Sequence, residues 1–287
     1  MSQPDTDAVT GTDTTGHEWD GIKELNNPLP RWWLWCLYLT IIWGVGYSIA
    51  YPAWPMISGA TKGVLGYSTR AEVAAEITRF NDQNAALKTA LAEVDLTTLA
   101  QNPDLQRFAV ANGAAVFRTN CSQCHGSGAA GSKGYPNLQD DDWLWGGEID
   151  QIAHTVRHGI RNETDLDAHY SQMPAFGELL EEGEIKDTAQ YVLSLSGQDH
   201  DAEAAARGTV IFEEQCSACH GDAGLGDIEQ GAPNLADAIW LYGGDIAAIE
   251  ETITNARFGV MPAWGERLSQ SDVNAVAAYV HGLGGGE

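Results

Sequence analysis

One arrangement of residues occurs twice in this chain of 287 residues, and that duplication constrains the fold more than any other feature. Cys121-Ser122-Gln123-Cys124-His125 returns as Cys216-Ser217-Ala218-Cys219-His220. Pro136-Asn137-Leu138 returns as Pro233-Asn234-Leu235, and Trp143-Leu144-Trp145-Gly146-Gly147 returns as Trp240-Leu241-Tyr242-Gly243-Gly244. Arg157 and Gly159 are matched by Arg257 and Gly259, Met173-Pro174 by Met261-Pro262, and Tyr191-Val192 by Tyr279-Val280. Such self-similarity means two copies of one folding unit. The spacing between matches drifts, which locates small insertions, chiefly Arg161 to Gln172 in the first copy. The expected domains are 105–197 and 201–287, joined near Ser196 to Asp201.

Hydrophobic periodicity predicts three helices per copy. A first helix leads into each Cys-x-x-Cys-His, from Leu105 and from Ala202. A second follows each Trp-Gly-Gly turn, over Ile149 to His158 and Ile246 to Phe258. A third follows each Met-Pro, over Glu184 to Leu195 and Ser271 to Leu283. For the last of these, Ser269 or Ser271 is the expected N-cap, and Val273, Val276, Ala277 and Val280 form its buried stripe.

Cys-x-x-Cys-His is the attachment sequence for a c-type haem. Two thiols three positions apart on a tight turn can bond the two vinyl groups of one haem, and the adjacent His then lies under the iron. Two copies predict two covalently bound haem c groups, on Cys121, Cys124 and His125 and on Cys216, Cys219 and His220. Structural zinc is the competing use, but it needs four converging ligands per site, and each motif brings three. A repeat of this size supports only a small core, so haem is expected to fill much of the interior.

Sixth ligands follow by elimination among four methionines. Met1 is terminal and Met56 adjoins an apolar run, which leaves Met173 and Met261. Each precedes a proline that stiffens its loop. The sequence leaves open whether each methionine serves the haem of its own repeat or the two are exchanged. His154 and His158 share a helix face, but no third metal ligand is visible in the sequence, and Thr254 and Phe258 hold the matching positions. A solvated face is expected there, with His158 near a haem edge as the alternative. His17, His169, His200 and His281 read as surface residues. Arg157 and Arg257 are candidates for pairing with haem propionates, or are simply exposed. Trp143 and Trp240 are expected to pack on the haems.

Before the repeats, no charged residue occurs from Trp32 to Thr61. About 20 apolar residues rising ~1.5 Å each cross a ~30 Å hydrocarbon layer. Trp32, Trp33 and Trp35 stand at one end and Tyr47, Tyr51 and Trp54 at the other, as interfacial belts require. Residues 31–52 are therefore read as one transmembrane anchor. Residues 1–30 form the segment on one side, with 1–20 too polar to repay ordering. Residues 53–104 form a linker on the other side, with one or two amphipathic helices within 69–100. Bacterial c-type haem attachment occurs outside the cytoplasmic membrane. That places residues 1–30 in the cytoplasm and the repeats in the periplasm.

Five cysteines leave only Cys36 outside the haem motifs, so no disulfide framework is available. A net charge of −25 excludes a general nucleic-acid binder, which needs a basic face. The same charge suits a well-solvated surface and can steer a basic partner protein.

The stretch Trp19-Asp20-Gly21-Ile22-Lys23-Glu24-Leu25-Asn26-Asn27-Pro28-Leu29-Pro30-Arg31-Trp32-Trp33 resembles the amino-terminal signature of the dihaem subunits of cbb3-type cytochrome c oxidases, the CcoP or FixP family. Tyr51-Pro52-Ala53-Trp54-Pro55 and both repeats fit the same family. The resemblance implies a mainly α chain, with one N-terminal transmembrane helix followed by two tandem class I cytochrome c domains. It implies electron transfer from a donor cytochrome c, fed by a bc1 complex, to the monohaem subunit. From there electrons reach the haem b and copper site of the catalytic subunit, where oxygen reduction is coupled to proton pumping. Carried over by position, Cys121, Cys124, His125 and Cys216, Cys219, His220 bind the haems, with Met173 and Met261 as distal ligands. The chain would catalyse nothing by itself. The alternatives are a free-standing membrane-anchored dihaem shuttle, a cytochrome subunit of a periplasmic dehydrogenase, or a dihaem peroxidase. The paired Met-Pro loops argue against the peroxidase, which needs an open iron.

Overall fold

The computed structural model describes residues 5–285 and is mainly helical. Its contacts separate two compact units, Met1–Asp82 and Gln83–Glu287.

In the first unit, β1 (Thr14–Trp19), within the 1–20 stretch expected to lack order, instead forms a hairpin with antiparallel β2 (Ile22–Leu25). The polar sequence cannot supply a core, and backbone pairing takes its place. Thr14 donates its N–H to the Asp5 carbonyl at 2.7 Å, Asn26 donates to the Asp13 carbonyl at 2.7 Å, and Lys23 pairs with Asp5 at 2.6 Å. Thr14 is buried by this closure. Residues 1–4 of that segment, including Met1, lie outside the described residues.

Helix α1 (Arg31–Ala50) follows, with Pro30 at its N-cap. It has the length and composition of a membrane span, and none of its residues is buried in protein. An apolar helix with no polar stripe and no protein cover has lipid as its natural solvent. Ser48 returns its hydroxyl to the Gly44 carbonyl at 2.8 Å, so this polar group is satisfied within the helix. Two-residue strands β3 (Pro55–Met56) and β4 (Gly59–Ala60) make a short turn after the span. Helix α2 (Thr69–Glu93) comes next, then a 3-10 turn over Leu96–Gln101.

In the second unit each repeat builds the same series. The first repeat gives α3 (Pro103–Asn120), the one-turn α4 (Ser122–His125), α5 (Ile149–His158) and α6 (Glu182–Leu195). The second gives α7 (Ala202–Gln215), α8 (Ser217–His220), α9 (Ile246–Asn255) and α10 (Gln270–His281). The starts are set by side chains that satisfy free amide groups. Asn102 accepts from Leu105 N–H, Asp201 from Glu203 and Ala204, Asp245 from Ala248, and Ser269 from Asp272. Helix α9 stops short of the expected Phe258 because Ala256 turns to φ 59°.

The repeats do not close on themselves. Helix α10, from the end of the second repeat, packs on α3 and α5 of the first, and α6, from the first, packs on α7 and α9 of the second. One core joins Phe117, Ile152 and Val156 to Val273, Val276 and Val280. The other joins Ile185, Ala189 and Val192 to Phe212, Ile249 and Ile253. The stretches 105–197 and 201–287 are thus repeats in sequence, while each compact half in space takes its closing helix from the other repeat.

Both crossings use the same device. Gly113 of α3 lets the Ala275 carbonyl of α10 approach so closely that an added Cβ would lie 2.1 Å from it. Gly208 of α7 meets the Asp187 carbonyl of α6 at the same 2.1 Å. An aromatic pair adjoins each crossing, Phe117 with Tyr279 at 5.5 Å and Phe212 with Tyr191 at 5.1 Å between ring centres. A third cluster, Leu91, Leu99, Leu105 and Ala109 with Ala275 and Ala278, fastens the end of α2 to the first half. There Asn274 donates its side-chain amide to the Leu91 carbonyl at 2.8 Å.

Candidate haem sites

Each Cys-x-x-Cys-His occupies a single helical turn, α4 or α8, directly after the long helix that carries it. The cap N–H groups of Cys121 and Cys216 still donate to Phe117 and Phe212, so the fully buried phenylalanines fix where the thiols begin. All four thiols are free. Burial, with the neighbouring thiol second, pushes Cys121 and Cys216 up to about 11, so both are protonated S–H groups at neutral pH. Thiolate coordination of a metal would have to work against that cost, whereas addition of S–H across a vinyl group would not.

The imidazoles are oriented alike. His125 Nδ1 lies 3.1 Å from the Pro136 carbonyl, and His220 Nδ1 lies 3.1 Å from that of Pro233. A carbonyl only accepts, so Nδ1 carries the proton and Nε2 keeps its lone pair for a metal. Burial lowers the pKa of both rings, which keeps them neutral and able to ligate. The duplicated Pro-Asn-Leu therefore supplies the acceptor that fixes the tautomer.

Met261 packs in the core that holds Cys121 and Phe117, and Met173 packs in the core that holds Cys216 and Phe212. Each methionine thus packs on the core that also carries the first thiol of the other repeat. Met261 is held there by backbone pairing, Ile160 N–H to its carbonyl and its own N–H to the Ile160 carbonyl, both at 3.0 Å. Trp264 and Gly265 continue the seam by donating to the Val156 and Arg157 carbonyls at 3.1 and 2.9 Å.

Trp143 and Trp240 pack on the two cores, one in each. The sequence did not single out Trp145. Among the described residues its indole N–H is buried with no hydrogen-bond partner. A buried donor of this kind needs an acceptor, and a haem brings propionate carboxylates. Its ring meets Gly231 of the second repeat, while its counterpart Tyr242 meets Gly134 of the first. Arg257 lies over the Tyr242 ring, 5.2 Å from its centre. Thiols, oriented imidazoles, methionines and an orphan donor together make a set that suits haem c.

Of the histidines on α5, His154 is exposed, as expected of a solvated face, and His158 is half-buried. His169, read as a surface residue, is half-buried and stacks on Trp145 with ring centres 4.4 Å apart. It stands opposite His154, so the insertion supplies the third imidazole that the sequence did not reveal. No periodicity marks that loop, and the sequence held no signal for the contact. His158 bonds the Asp165 carboxylate at 3.1 Å.

The model for the N-terminal domain of cytochrome oxidase-cbb3, FixP, matches residues 11–58. The model for cytochrome c oxidase, cbb3-type, subunit III, matches residues 108–192 and 203–280. The chain is 60% identical over 276 residues to the cbb3-type cytochrome c oxidase subunit CcoP of Cereibacter sphaeroides, covering 96% of this chain and 95% of that one. It is 53% identical over 282 residues to subunit FixP of Azorhizobium caulinodans, covering 98% and 96%. It is also 53% identical over 285 residues to a CcoP of Rhodobacter capsulatus, covering 96% of each chain.

Proposed function

The chain belongs to the CcoP/FixP family of cbb3-type cytochrome c oxidase subunits, and we propose on that premise that it is the oxidase's electron-input subunit. It takes electrons from a donor cytochrome c and delivers them to the monohaem subunit, which serves the haem b and copper catalytic subunit. It carries two covalently bound haem c groups, one on Cys121, Cys124 and His125 with Met261 as sixth ligand. The other is on Cys216, Cys219 and His220 with Met173. Bound haem supplies one-electron exchange at iron. The chain's own residues hold it, fix the imidazole tautomer, and close the pocket against water with the apolar cores around Phe117 and Phe212. Thioether sulfur favours the reduced iron, which suits a carrier late in a respiratory chain. With both iron faces ligated the subunit performs no bond chemistry of its own.

The observation that carries this reading is the matched pair of imidazoles, each with Nδ1 turned to a prolyl carbonyl beside two free thiols. Helix α1 anchors the chain in the bacterial inner membrane, with residues 1–30 cytoplasmic and both haem-binding halves periplasmic. Exposed Val73, Ile77 and Phe80 on α2 give a neighbouring subunit an apolar face.

The test is extraction in mild detergent with a tag on this chain, then reduced-minus-oxidised spectra and oxygen uptake with reduced cytochrome c. Co-purification of haem b and oxidase activity is expected. Haem c alone, with no oxygen uptake in several detergents, would mean a free-standing anchored shuttle instead.

A further inference from the structure

The insertion that only the first repeat carries places a third imidazole beside the two on α5. His154 Nδ1 and His169 Nε2 face each other at 3.2 Å. The ring of His154 lies 4.6 Å from that of His158 and 4.7 Å from that of His169, centre to centre. Two nitrogens each ~2.0–2.1 Å from one tetrahedral ion stand about 3.3 Å apart. The 3.2 Å separation is therefore the bite of a chelating pair.

We propose that His154 and His169, with His158 held beside them by Asp165, form a binding site for a divalent transition-metal ion of the zinc class. Imidazole donors select zinc and its neighbours over calcium and magnesium, which require oxygen.

The support around the imidazoles is built. Both carboxylate oxygens of Asp165 lie 3.1 Å from His158 Nδ1, which fixes that ring and frees Nε2 for the ion. This is the carboxylate–histidine pairing that orients metal ligands. Asp165 is itself held by the Asp167 N–H at 2.9 Å. The ring of His169 is pinned on Trp145 at an interplanar angle of 12°. Its backbone is fastened on both sides, its N–H donating to Gly159 and its carbonyl accepting from Arg161. The second repeat serves as an internal control. Thr254 and Phe258 stand where His154 and His158 stand, and no insertion reaches over them.

The ion would tie the insertion to α5 at a defined place. His169 and Met261 flank Ile160 on opposite sides of one short ladder. Binding would therefore brace the strand that seats Met261, although the site does not depend on what Met261 ligates.

The test is zinc titration of the full haem-loaded chain in detergent, purified through a tag without histidine. One zinc ion per chain is expected, with His154→Asn and His169→Asn each weakening binding at least ~10-fold and Asp165→Asn by ~10–100-fold. His200→Asn should leave binding unchanged. Haem absorption and circular dichroism confirm that each variant is folded. Zinc K-edge X-ray absorption on the unsubstituted chain should show at least two imidazoles. No binding at tens of micromolar zinc, an absorption edge without imidazole, or binding that survives the His154→Asn/His169→Asn double substitution would overturn the proposal.

Discussion

Met261 and Ile160 exchange two backbone hydrogen bonds of 3.0 Å although they belong to different repeats. This antiparallel bridge stations the second repeat's methionine on the first repeat's core, the one that contains Phe117 and carries Cys121. The proposed exchange of methionine ligands has a clear electrochemical signature. In a Cys216→Ala/Cys219→Ala chain, which holds haem only at Cys121 and Cys124, Met261→Leu should lower the midpoint potential by tens of millivolts or more. Met173→Leu should leave it nearly unchanged. The reverse result in a redox titration would restore within-repeat ligation.

The helix crossings give a stability prediction. Gly113→Ala and Gly208→Ala each force a methyl group to within 2.1 Å of a carbonyl on the crossing helix. Overpacking of this kind costs about 1–3 kcal/mol. Thermal unfolding should move down by several degrees for each variant, and the two losses should be similar because the crossings are equivalent. A Gly→Ala change at Gly128, where nothing lies within 4 Å, should have little effect.

How far the sequence reveals this architecture can be judged from α6 and α10. Their buried stripes, Ile185, Ala189 and Val192 against Val273, Val276 and Val280, show which face turns inward. They do not show against which partner, because duplication left two nearly equivalent receiving surfaces on α3 and α7. The two Cys-x-x-Cys-His turns were legible because covalent haem attachment demands a fixed spacing, and the apolar helix because lipid demands an unbroken apolar run. Local rules also placed α5 over Ile149–His158 and narrowed the last cap to Ser269 or Ser271, of which the structure uses Ser269. What escaped was non-periodic. The insertion that carries His169 and the polar hairpin of β1 and β2 are both held by backbone bonds that leave no hydrophobic pattern.

Acid should stabilise the second unit near Asp142. Burial, then Asp237, Asp140 and Asp141, raises its pKa from 3.8 to about 6. The folded state therefore binds a proton that the unfolded state releases between about pH 4 and 6. The contribution is complete below the unfolded value and is lost as pH rises through the folded one. Asp142→Asn should raise the melting temperature at pH 7 by a few degrees and flatten its dependence between pH 4 and 7. An unchanged pH profile would show that Asp142 is not the group responsible.

The anchor should fail in a graded way. Ile41, mid-span and exposed on α1, sits where an arginine costs roughly 2.5–3.5 kcal/mol of membrane insertion. Ile41→Arg should shift a large share of the chain into the carbonate-soluble fraction. The same change at Trp32, near the helix end, should shift much less, because a long side chain there reaches the interface.

Because α10 closes the half that α3 opens, the order in which the chain is made differs from the order in which it can be finished. Helix α3 leaves the ribosome early and then waits for α10 before Gly113 meets Ala275. The later half is better placed, since α6 precedes α7 and is already waiting when Phe212 arrives. The half begun first is thus completed last, and its cysteines stay accessible longest. A chain cut short before α10 loses the half that α3 opens.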